Sequence, residues 1–119
     1  MVTQSTSPLY SPEAFLCIKK TIQAAGFSTL PFQNSVPSMG QWGWVLGVRQ
    51  KSMPAELLKK ELTKRKFPDI ETRFFDQDAM ISMAHFGKGL FEKEGEIEPN
   101  TQFNHNILKY YRQGSWDLY

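Results

Sequence analysis

The period of the apolar positions changes several times along the chain. From Pro12 onward, Phe15, Ile18, Ile22 and Ala25 recur three or four residues apart, the spacing that gathers side chains on one face of an α-helix. Ser11 stands ready as an N-cap, Pro12 occupies the first helical position, and Glu13 lies near the positive end of the helix dipole. Gly26 supplies the stop, so the pattern predicts a helix over 12–25. On either side the period shortens. Val2 to Thr6 reads as the end of a strand, and Phe27 to Val36 reads as another, in which Pro31 requires an edge or an irregularity. Trp42 to Arg49 is rich in aromatic and β-branched residues, and Pro37-Ser38-Met39-Gly40 before it is turn chemistry. Two strands joined by so short a turn predict an antiparallel hairpin.

Beyond residue 50 the pattern is mostly helical and weaker. Ser52 and Pro54 open a charged helix over 55–66 with a narrow face of Leu57, Leu58 and Leu62, ended by Phe67-Pro68. Asp76 is placed to cap a short helix carrying Met80, Ile81, Met83 and Ala84, which stops near Gly87. Residues 87–103 read as loop, and Asn104 reads as the cap of a last helix through Tyr111. No internal repeat or low-complexity block interrupts this order.

With 119 residues, one domain is expected. Composition is that of an ordinary globular protein, and no apolar run approaches the ~20 residues that cross a bilayer. The first residues, MVTQSTSPLY, lack the basic region and apolar core of a signal peptide. The lone cysteine, Cys17, excludes an internal disulfide framework and suits a reducing compartment, so a cytoplasmic location is expected. Net charge is only +2, too small to argue for nucleic acid. Its distribution is uneven: Lys59, Lys60, Lys64, Arg65 and Lys66 gather in one segment, and Glu92, Glu94, Glu96 and Glu98 in another. Each is read as a solvated face or loop.

Few constellations carry chemistry. Gly40, Gly43 and Gly47 match neither the dinucleotide fingerprint nor the P-loop, and no helix follows them directly. Glycine in a strand more often admits a neighbouring ring or backbone. His85 and His105 lack the spaced partners that a zinc site needs, so no metal is expected. Cys17, beside the apolar face of the first helix, is read as a buried structural thiol. Ser5, Ser7 and Ser11 carry no nucleophile-elbow signature. The basic helix with nearby tryptophans invites a nucleic-acid reading, yet no helix-turn-helix, RNP or finger pattern accompanies it.

Three segments in order change the picture: VTQSTSPLYSPEAFLCIKKTIQAAGF, NSVPSMGQWGWVLGV and TRFFDQDAMISMAHF. Together they resemble the C-terminal part of a spermidine synthase-like polyamine aminopropyltransferase. The second is similar to that family's recurrent hairpin, V-P-S-aromatic-G-(acid or Gln)-W-G-F-hydrophobic, and the ending NTQFNHNILKYYRQG is similar to the tail of longer members. The resemblance implies an α/β fold: the C-terminal part of a Rossmann-like, S-adenosylmethionine-dependent methyltransferase-type fold, with a small mixed sheet and flanking helices. One truncated domain over 1–119 is expected, with a strand-helix-hairpin core (1–50) and a helical and loop extension (51–119). The final strand, 42–49, should lie between the strands at 2–6 and 27–36, its tryptophans chiefly packing.

The family transfers an aminopropyl group from decarboxylated S-adenosylmethionine, its co-substrate, to an amine such as putrescine. The glycine-rich nucleoside loop, the acidic residue for the ribose and the aspartate that deprotonates the amine find no counterpart among these residues. The isolated chain is therefore expected to be inactive, to bind no cofactor alone and to contain no catalytic residue. Four positions carry over as substrate-binding candidates. Gln4 matches a strand-end glutamine that faces the amine, although a polar strand end reads the same way. Tyr10 lies in the loop after it; Met39 stands near a place often held by an aromatic residue; Gln41 replaces the commoner glutamate. The same resemblance leaves the edge of residues 1–6 and part of the helix 12–25 uncovered, which predicts a homodimer through them. Two other readings stand beside it: a non-catalytic association module derived from this fold, and a weak basic nucleic-acid binder.

Overall fold

The computed structural model describes residues 1–118; Tyr119, the last residue of the expected extension, lies outside them. The elements run β1 (Val2–Gln4), α1 (Pro12–Ala24), β2 (Phe27–Val36), β3 (Gly40–Arg49), α2 (Ala55–Lys64), α3 (Gln77–Met83), a 3-10 helix (Leu90–Glu96), α4 (Asn106–Arg112) and a closing 3-10 turn (Trp116–Leu118). The strands form one sheet in the order β1-β3-β2, so the final strand is central, as expected. Both pairings are antiparallel, which corrects the expected mixed sheet to a small antiparallel one. Pro31 sits on β2, an edge strand, where its missing N–H leaves no central ladder bond unmade.

Strand alternation separates two faces. Gly43, Val45 and Gly47 turn toward α1, and Trp42, Trp44, Leu46 and Val48 turn away. On the α1 side a Cβ at Gly43 would lie 2.5 Å from Phe15 Cε2 and 3.0 Å from the Thr6 carbonyl, so only glycine admits the ring. Phe15, Leu16, Cys17 and Val45 are fully buried there, joined by Ile22, Ile97 and Tyr110. The tryptophans line the opposite face half-buried, Trp44 stacked on Phe32 at 6.0 Å.

The 3-10 helix and α4 pack back onto α1 and cover it. This differs from both the loop expected at 87–103 and the bare helix flank. Lys19 and Lys20 of α1 both reach Glu94, the first by an ion pair and the second at its carbonyl, 2.9 Å away. Tyr110 of α4 accepts a hydrogen bond from the Glu98 amide at 3.1 Å. Lower down the chain, α2 packs its buried Leu58 toward β2, and its basic residues remain exposed. No helix among the described residues is long and apolar enough to cross a membrane.

Candidate functional site

The site grows from the turn between β1 and α1. Thr6 adopts φ 60°, an uncommon left-handed conformation for a β-branched residue, and swings the chain off the sheet. Ser5 donates its amide to the Gly43 carbonyl at 2.8 Å, and Gly43 returns one to Thr6 at 2.7 Å, which pins the turn to β3. The Ser7 hydroxyl then accepts the amides of Leu9 and Tyr10 at 3.2 and 3.1 Å, a side-chain turn that aims the chain into α1. From below, Gln33 donates to the His85 carbonyl at 3.0 Å and ties the segment after α3 to the sheet.

Between these parts lies a cavity of about 360 Å³. Leu9, Pro12, Leu16, Phe86 and Leu90 supply its apolar lining. Gln33 and Gln41 reach it from β2 and β3: Gln41 is paired with Ser35, so both carboxamides fall on the α1 face of the hairpin. Glu13 joins the lining from the first turn of α1, half-buried, and Lys88 and Lys93, both exposed, join it from the segment around the start of the 3-10 helix.

The four expected residues do not all meet. Gln41 lines the cavity. Tyr10 packs over the hairpin end, where a Cβ on Gly40 would touch its ring at 3.5 Å, and its carbonyl accepts the Ser115 amide at 2.8 Å. Met39 belongs to the same turn, its amide bonded to the Val36 carbonyl at 2.9 Å. Gln4 is exposed and paired with Trp44, hence on the face away from the cavity. Glu13, Gln33, Lys88 and Lys93 were not singled out as site residues. Gln33 was within reach of strand alternation once the hairpin register was set. The two lysines share a cavity with Glu13 only through tertiary closure, which leaves no local pattern.

Cys17 lies in the core rather than the cavity, fully buried. Burial pushes its thiol pKa up, against the opposing pull of hydrogen bonds from Thr21 and the Asn100 backbone. Among the described residues no group of three or more His, Cys, Asp or Glu side chains gathers where it could hold a metal ion.

Comparison with known proteins gives one consistent result. Polyamine aminopropyltransferase 2 of Ralstonia nicotianae is 30% identical over 113 residues, covering 95% of this chain and 20% of that protein. The chain matches a C-terminal portion of spermidine synthase-like proteins. Polyamine aminopropyltransferase 1 of Streptomyces coelicolor is 29% identical over 119 residues, 100% of this chain and 20% of its own length. The polyamine aminopropyltransferase of Leptospira interrogans is 33% identical over 108 residues, 91% of this chain and 19% of its own. The chain thus spans about a fifth of the length of the curated relatives it matches. No family model and no solved structure matches it.

Proposed function

We propose that this chain forms the acceptor side of an aminopropyltransferase site and works only together with the nucleoside-binding part of such an enzyme. The observation that carries the reading is the cavity at the hairpin end, lined by Gln41 of the very motif that the resemblance rests on. In the reaction, the amine lone pair forms a C–N bond to the aminopropyl carbon of decarboxylated S-adenosylmethionine while the C–S bond breaks. Sulfur keeps the bonding electrons and leaves as methylthioadenosine, and the new ammonium loses its extra proton to a base. Gln41 and Gln33 orient the amine by hydrogen bonds, and the apolar walls hold its methylenes. Tyr10 and Met39 flank the hairpin turn above it. Gln4, on the other face of the sheet, lies outside this cavity and takes no part in holding the amine there.

The 119 residues alone are silent, because they carry neither a glycine-rich nucleoside loop nor an aspartate in the cavity. Purified chain given decarboxylated S-adenosylmethionine and putrescine releases no methylthioadenosine above buffer; turnover that survives repurification would overturn this. A chimera supplies the positive test. With this chain in place of the matching portion of the Ralstonia relative, turnover is expected, and Gln41→Ala in that chimera lowers kcat/KM for the amine about tenfold, or ~1.4 kcal/mol. An unchanged kcat/KM would remove Gln41 from the site. The same chain also associates with a second copy through the outer edge of β1, and it resides in a reducing compartment such as the cytoplasm, which its single buried thiol suits.

A further inference from the structure

The charges of the cavity disagree with a simple diamine. One carboxylate, Glu13, shares the lining with two ammonium groups, Lys88 and Lys93, so a doubly positive ligand would meet more repulsion than attraction there. These three groups also leave one another alone. The only ion pair among the described residues is Lys19–Glu94, outside the cavity lining, although Glu13 shares that lining with both lysines. A carboxylate and two ammonium groups that share the lining of one largely apolar space without pairing are complementary to a molecule that carries both signs.

We propose that the cavity takes a linear amino acid, an amine whose far end is a carboxylate. Its ammonium end meets Glu13, which also sits at the favourable end of the α1 dipole for a negative side chain. Its carboxylate meets Lys88 and Lys93, and its methylenes lie along Leu16, Phe86 and Leu90. Gln33, whose Nε2 is held by the His85 carbonyl, keeps its Oε1 as an acceptor for an ammonium hydrogen. The volume, about 360 Å³, is at the lower end of ordinary small-molecule sites and suits a short chain. As a statement about the acceptor in group transfer, this rests on the aminopropyltransferase reading; as a statement about binding, it rests on the cavity alone.

The test is an NMR titration of the folded chain with 5-aminopentanoate, putrescine and pentanoate. The amides of Gln41 and of residues 87–90 are expected to shift and saturate with 5-aminopentanoate at concentrations about tenfold below those for putrescine or pentanoate. Glu13→Gln weakens 5-aminopentanoate about tenfold. Replacing both Lys88→Gln and Lys93→Gln weakens it likewise and strengthens putrescine, an inversion that a purely structural effect would not produce. All three positions are half-buried or exposed, and native amide dispersion verifies that the variants fold. Putrescine binding as tightly as 5-aminopentanoate would overturn the proposal and leave the diamine reading standing. If none of the probes moves these amides while the chimera above still turns over, the acceptor lies elsewhere: the proposal falls and the transfer reading survives.

Discussion

Among the glycines, Gly43 leaves the least room for a Cβ. Its absent Cβ would lie 2.5 and 2.8 Å from two carbons of the Phe15 ring and 3.0 Å from a backbone oxygen, none of which can swing aside. Gly43→Ala should therefore cost about 1–3 kcal/mol of stability, read as a lowered urea midpoint. Gly47→Ala should cost distinctly less, since its nearest neighbours, Ile22 Cγ2 at 3.0 Å and Met1 Cγ at 3.2 Å, are side-chain carbons that need give only a few tenths of an ångström. Equal losses at the two positions would mean that the ring, too, can move. Cys17 gives a second residue-scale expectation. Its buried thiol holds its proton in the folded chain, whereas the unfolded chain releases it near an ordinary thiol pKa of about 8.5. The unfolded state then binds fewer protons than the folded one, so stability is intact below that range and declines as pH rises above it. Urea midpoints taken from neutral to alkaline pH should show this decline in wild type and not in Cys17→Ala. The native thiol should also resist a thiol reagent until denaturant is added.

At the scale of elements, two caps that look alike in sequence behave differently. The Asp76 carboxylate accepts the Ala79 amide at 2.8 Å and caps α3. The Ser11 hydroxyl, at the N-cap of α1, makes no cap bond and is buried without a partner among the described residues. Asp76→Ala should cost about 1 kcal/mol, felt locally because α3 has no buried residue of its own: amide protection at Met80 should fall with little change in the urea midpoint. Ser11→Ala should be neutral or slightly stabilising, since it removes a desolvated hydroxyl that bonds nothing. A loss of 1 kcal/mol or more there would show a hidden partner. This contrast marks how far the chain was legible. The helix over 12–25, the hairpin and the Asp76 cap follow from local spacing and are found with boundaries shifted by one or two residues. The 3-10 helix at Leu90–Glu96 was not legible, because it is held from a distance by Lys19 and Lys20 rather than by a period of its own. Of the site, Gln41 was readable from its motif. In sequence Glu13 is legible only as an acid at a helix start; its sharing of one cavity with two lysines depends on the whole molecule closing.

For the molecule as a whole, the outer edge of β1 is one of the two edges of the sheet, and it is the one free of Pro31. The amides and carbonyls that β1 spends on β3 belong to alternate positions, with Met1 and Gly47 exchanging bonds at one end and the Ser5–Thr6 segment bonding Gly43 at the other. The backbone groups of Val2 and Gln4 point the other way, and Met1 and Val2 are 60% and 58% exposed. Because α1 is covered by the 3-10 helix and α4, association through the helix is less favoured than association through the strand edge. Two β1 edges meeting antiparallel across a two-fold axis would pair these groups and join two sheets into one. We therefore expect a dimer in sedimentation at micromolar concentration. Gln4→Pro should yield a monomer, since it removes one outward N–H and leaves the bonds to β3 in place. Native amide dispersion in that variant separates lost association from lost folding. A wild-type monomer whose Val2 and Gln4 amides exchange slowly would show that the chain shields its own edge, and the dimer would have to be abandoned.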